Sequence, residues 1–274
     1  MIRLRKVALV FKKDWLEIRR NLQVLLPLLF VPVVFAVVLP AVAVVPTLSI
    51  PSQASSEGLL AIMKTLPAHV RHEIVGMTGQ QAIAYMMLLY LFAPVFLIIP
   101  IMVSSLIASD SFAGEKERKT IEALLATSLS DAEMLLGKIL VSFVPAVAVT
   151  VVAFVIYSAV VDCMTLGLFD GRFLLPNTIW LSLIFGLAPA VAFADIGLTV
   201  VISARVKGVR EAQQISALLL VPLFAAVLGQ ASGSMFFDPL LITALTVLLM
   251  AFDIIILVAS IKAFGRDHIL ARLS

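Results

Sequence analysis

Apolar residues recur along this chain in six long blocks parted by shorter polar segments, and an amphipathic stretch precedes the first block. In residues 1–23, Leu4, Val7, Ala8, Phe11, Trp15, Ile18 and Leu22 recur at three- and four-residue steps, the spacing of one helical face. Arg3, Arg5, Lys6, Lys12, Lys13, Arg19 and Arg20 fill much of the remainder. The pattern predicts an interfacial helix with its apolar face in the headgroup boundary and its cations toward anionic lipid. Phe11, Trp15, Arg19 and Arg20 are its candidate membrane-interface residues, and a helix docked on the protein is the alternative. A signal peptide is a weaker rival, because the basic region is too long and the apolar run too extended.

The apolar blocks are residues 24–45, 83–108, 139–161, 179–202, 215–228 and 240–261. Five of them have at least 22 residues, enough to cross a hydrocarbon core of roughly 30 Å at about 1.5 Å per residue. The fifth has only 14 strongly apolar residues and needs residues 229–231 to reach the lower limit. Met235, Phe236 and Phe237 are then expected to dip back into the outer leaflet. Pro27, Pro32 and Pro40 predict kinks in the first span. The expected fold is an all-α membrane protein with six transmembrane helices, an N-terminal amphipathic interface helix and a cytoplasmic coupling helix. Residues 1–23 are expected to form the interface helix, 24–262 the six-span transmembrane domain and 263–274 a tail.

Composition strengthens this reading. The chain is 62% hydrophobic and 14% charged, against roughly 45–50% and about 25% in soluble domains. Its net charge of +3 does not point to nucleic acid; the placement of the cations matters more. With six crossings, one side receives seven Lys/Arg from residues 1–23, four from 109–138, three from 203–214 and three from the tail. The other side receives Lys64, Arg71 and Arg172. The excess of positive charge on the inner side predicts a multi-pass cell-membrane protein with both termini in the cytoplasm. The lone Cys163 excludes an intrachain disulfide.

No catalytic or metal-ligating constellation emerges. His69, His72 and Glu73 lie close in sequence but match neither zinc-protease order. Gly137-Lys138 resembles the end of a phosphate-binding loop, yet position 132 is Ala rather than the required Gly. The chain has no nucleotide site of its own. Asp195 and Asp253 fall inside spans, where a charge costs about 2.5–3.5 kcal/mol on insertion scales. Both are expected to face protein or water rather than lipid. They are possible pathway-lining groups, with helix–helix hydrogen bonding as the alternative.

Between the second and third blocks lies a polar island, residues 110–138. Residues 110–126 are expected to be helical, with Glu115 and Lys119 in the favourable i,i+4 order and an apolar patch of Ile121, Leu124 and Leu125. A break follows at 127–129, and Ser130 with Glu133 fits a capping box that starts the next helix. The patch suits contact with another protein; a helix lying passively on the membrane is the alternative.

Phe112 to Thr127 (FAGEKERKTIEALLAT), continued by Leu129-Ser130 and Glu133 to Lys138, resembles the signature of ABC-type-2 exporter permeases. A second patch, Ser203-Ala204-Arg205 with Glu211 to Gln214 and Pro222, resembles the same family's fifth-span region. Ser128 stands where many relatives have Pro. The resemblance implies a membrane subunit with no cofactor of its own, ATP and Mg being held by a partner. It further implies two copies of an ABC ATPase subunit, and a second permease copy or paralogue in the bilayer. Its coupling role falls on Glu115, Glu117, Arg118, Thr120, Ile121, Leu124 and Leu125. The resemblance also implies that residues 229–238 form an outer re-entrant region. The alternative function is an ATP-independent secondary transporter or channel using Asp195 and Asp253. The substrate and the choice between homodimer and heterodimer are not readable from these residues.

Overall fold

Hydrocarbon offers no water to satisfy backbone N–H and C=O groups, so spanning segments must close their hydrogen bonds internally. The computed structural model of this chain describes residues 3–48, 66–118, 120, 129–203, 205–206, 208–233 and 235–263, and among them it is helical, with turns and no strand. The described helices are α1 (Leu4–Ile18), α2 (Leu22–Thr47), α3 (Ala68–Ile74), α4 (Gly79–Glu117), α5 (Asp131–Thr165), α6 (Thr178–Ser203), α7 (Val209–Ala231) and α8 (Pro239–Ala263). Six of them, α2 and α4 to α8, are long and apolar enough to cross a membrane. Helices α4, α5 and α6 form the centre. Helix α8 packs on α6, and α1 lies along α5. Helices α2, α7 and α8 turn most of their apolar surface outward, as lipid-facing spans do.

Three spans outrun their apolar blocks. Helix α4 continues past residue 108 to Glu117, so the expected second span and the first eight residues of the polar island are one helix, which ends at a turn at Arg118 rather than running on to 126. Helix α5 has 35 residues, about 52 Å at 1.5 Å per residue, and therefore projects beyond the hydrocarbon. Its capping box is present: Glu133 N donates to Ser130 Oγ at 3.2 Å, and Ser130 N donates to Glu133 Oε2 at 3.0 Å. Helix α7 resolves the short fifth block by adding the polar turns from Val209, reaching 23 residues. After it, Phe236 and Phe237 are buried, and Phe236 meets Tyr90 edge-on at 5.9 Å.

Helix α1 is docked differently from the face its periodicity suggested. Val7, Val10, Asp14 and Ile18 are buried, whereas Leu4 and Ala8 are exposed. Phe11 and Trp15, stacked at 6.4 Å between centroids, are half-buried at the edge. Gly137 on α5 permits the close approach, since a Cβ there would lie 2.6 Å from Val10 Cβ. The helix uses one edge of its apolar face against protein and the other toward its surroundings.

Wide π-helical turns interrupt the spans at Val34–Val38, Met86–Leu91, Asp110–Gly114 and Leu183–Leu187. In the first span the widening sits between Pro32 and Pro40, where proline rings disturb the hydrogen-bond ladder. At Met86–Leu91 side chains from other spans bond the backbone: Tyr157 OH donates to the Leu88 carbonyl at 2.7 Å and Trp180 Nε1 to the Leu89 carbonyl at 3.1 Å. Trp180 stacks on Tyr157 and Phe154 and meets Phe96 edge-on, forming the aromatic centre of the bundle.

Candidate functional site

The π-turn at Asp110–Gly114 marks a junction of three elements: α1, the end of α4 and the beginning of α5. Lys138, on the first turns of α5, has no exposed surface. Its ammonium lies 3.1 Å from Asp14 Oδ2 and 2.8 Å from Glu115 Oε2. It also donates to the Ser111 carbonyl at 2.6 Å and rests 5.5 Å from the centre of the Phe112 ring. Ser111 Oγ donates to Asp14 Oδ2 at 2.7 Å. Lys13 completes the set, donating to Glu115 Oε1 at 2.5 Å and lying 3.1 Å from Asp14 Oδ1.

Two cations and two carboxylates therefore neutralise one another across residues more than a hundred positions apart. An ion taken out of water loses several kcal/mol of solvation, which only close pairing and full hydrogen bonding offset. Burial opposes the charge on Asp14, but Lys138, the Ser111 hydroxyl and Lys13 outweigh it and hold its carboxyl below the ordinary range. Burial likewise opposes the Lys13 ammonium, and Glu115 and Asp14 outweigh it and hold its pKa above the ordinary range. A depressed carboxyl stabilises above its unfolded pKa and loses that contribution as pH falls through its folded value. A raised ammonium stabilises below its unfolded pKa and loses its contribution as pH rises through its folded value. The docking of α1 is thus expected to hold between about pH 4 and about pH 10 and to weaken beyond both limits. The mobility of a spin label on Lys12→Cys, with Cys163→Ser, measured across that range checks this.

A second layer surrounds the cluster. Arg118 lies 3.1 Å from Asp110 Oδ1 and 3.8 Å from Glu17 Oε2. Glu133, besides capping α5, accepts from Arg3 N at 2.9 Å and so holds the start of α1.

The residues expected to carry coupling divide by position. Glu115 is 2% exposed and paired internally. Glu117, Arg118 and Thr120 are exposed, and Thr120 N donates to the Glu115 carbonyl at 3.0 Å. Ile121, Leu124 and Leu125 lie outside the described residues. Arg19 and Arg20 are exposed just beyond α1. Asp195 is fully buried on α6 and accepts from Ser104 Oγ of α4 at 2.5 Å, leaving Oδ1 without a partner. Asp253 is buried on α8 between exposed Phe252 and Ile254, also with a bare Oδ1.

Sequence reasoning missed Asp14 and the inward role of Lys138. Asp14 shares its helical face with Val7, Val10 and Ile18, an acid in the middle of an apolar stripe. Lys138 falls in register with Met134, Val141 and Pro145, all buried. Both are charges in phase with a buried face, a signal visible in the sequence.

The pattern of ABC-2 family transporter proteins matches residues 8–235, which includes most of α1, all of α2 to α7 and the ion cluster just described. No individually curated protein matches the chain. With more than half of its length matched and six helices able to span a bilayer, the chain belongs to the ABC-2 family of transporter membrane proteins.

Proposed function

We propose that this chain is the permease subunit of an ATP-driven exporter, forming the substrate pathway and coupling it to separate ATPase subunits through residues 110–138. The junction of Asp14, Lys13, Glu115 and Lys138 is the observation that supports this reading most. A loop that merely joins two spans does not need three buried charges and a half-buried fourth where those spans begin and end. A turn that receives force does, because displacement of a loosely tethered segment would be absorbed before reaching the spans.

In this reading Thr120, Ile121, Leu124 and Leu125 meet the ATPase, Glu115 and Arg118 hold the base of the turn, and Glu117 joins it to α7. Both termini face the cytoplasm, where the cations of residues 1–23 and 109–138 lie. The ATPases bind ATP and Mg, and a second copy or a paralogue of this chain completes the pathway. Nucleotide shifts the spans only if inward and outward states interact differently with the ATPases. Asp195 and Asp253 become lining groups when α4, α6 and α8 part.

Gentle purification from the native membrane tests the assignment. A stoichiometric soluble partner with a phosphate-binding loop, hydrolysing nucleotide in a manner dependent on this chain, is the expected result. Ion-driven flux by the purified chain alone would contradict it and favour a secondary transporter.

A further inference from the structure

Two motif residues on α4 point away from the ion cluster and toward the fifth span. Lys116 Nζ donates to the Val206 carbonyl at 2.9 Å, and Glu117 Oε2 accepts from Val209 N at 3.0 Å. Val209 opens α7, and its N-cap residue, Gly208, has no side chain with which to cap the helix. The first N–H groups of a helix lack intrahelical acceptors and carry the positive end of its dipole. Glu117 supplies the missing acceptor and the matching charge from another element. Gly208 leaves room for it, since a Cβ there would stand 2.9 Å from Glu117 Oε2. Beside the carboxylate, Ala113, Val206 and Ala212 pack together, so the two segments meet over a surface. Farther along α7, Leu218, Val221, Phe224 and Leu228 are exposed. The first turns of α7 are held by this contact and by the Thr199–Ser216 hydroxyl pair at 2.8 Å, and farther along Leu223 and Gln230 are buried.

We propose that Glu117 is the positioning residue that makes the fifth span follow the coupling segment. The inference rests on the coupling role given above to residues 110–138. The ion cluster joins α1, the end of α4 and the start of α5 into one body, and Glu117 decides whether α7 moves with that body. Apart from this contact α7 packs on α4 and on α6, and Glu117 is the residue that ties its first turn to the end of α4. The motif thus divides its work: Glu115 faces the foundation, and its neighbours Lys116 and Glu117 face α7.

Two spin-label distances test this in the complex with the ATPase, nucleotide-free and with a non-hydrolysable ATP analogue, in a Cys163→Ser background. The first pair is Lys12→Cys with Arg172→Cys, reporting the body against the outer surface; the second is Lys12→Cys with Arg210→Cys, reporting the body against α7. These three positions are exposed. In the otherwise unaltered chain the first distance is expected to change with nucleotide and the second to stay constant. Glu117→Ala is expected to retain the ATPase and the first change while the second distance becomes nucleotide-dependent and broad. Glu117→Gln, which keeps an acceptor oxygen, is expected to restore a constant second distance. A first distance that never responds would overturn the coupling role and this inference together. The inference alone is overturned by a constant second distance in Glu117→Ala, by one that already varies with Glu117 present, or by loss of the ATPase in Glu117→Ala.

Discussion

Lys138→Met is expected to release the N-terminal helix from the membrane domain and to lower stability by about 3–5 kcal/mol, the usual cost of stranding buried partners of an ion pair. The methionine fills a similar volume, so packing against Phe112 and Met134 survives and the loss is electrostatic. Asp14 and Glu115 would then share the single cation Lys13, and the Ser111 carbonyl would lose its donor. Pairing the substitution with Asp14→Asn restores charge balance, leaving Lys13 with Glu115. The double variant is therefore expected to be more stable than Lys138→Met alone, an interaction of the kind seen between residues in one network. Thermal unfolding in detergent and hydrogen exchange along α1 would register both effects. If Lys138→Met unfolded at the same temperature with α1 still protected, the cluster would not hold the helix.

Trp180→Ala is expected to cost about 3–5 kcal/mol, the range for deleting a large buried aromatic side chain. The indole touches three rings, so its removal opens a cavity bounded by Phe96, Phe154 and Tyr157. It also removes the donor to the Leu89 carbonyl, inside the π-turn of α4. Trp180→Phe separates the two contributions, because it keeps much of the ring contact and loses the N–H. Its cost is expected nearer about 1–3 kcal/mol, that of a buried acceptor left bare. Equal unfolding temperatures for the two variants would mean that packing contributes little beyond the hydrogen bond.

Much of this architecture was legible in the residue pattern because its causes are local. Hydropathy marks the six spans, and Ser130 with Glu133 announces the start of α5, since a capping box involves residues three apart. The α7 helix was harder to read: its apolar run is short, and the turns that lengthen it are polar. The junction was read least well. Asp14 and Lys138 are 124 residues apart, so no local spacing links them, and each looked like an ordinary cytoplasmic charge. Glu115 received a coupling role from the family resemblance, yet it follows the π-turn at Asp110–Gly114 and its carboxylate is buried against Lys138 and Lys13. The docked edge of α1 was hard to read for a related reason, in that tolerance of Asp14 on that side depends on a lysine far along the chain.

The central claim is that the segment linking Glu115 to Ser130 receives the ATPase. Co-purification of the ATPase with a Leu124→Asp/Leu125→Asp variant tests it most directly. The expected result is loss of the partner and of its chain-dependent nucleotide hydrolysis, while the membrane domain elutes as a single species with an unchanged unfolding temperature. A variant that retains the complex and its hydrolysis would place the contact elsewhere and contradict the account.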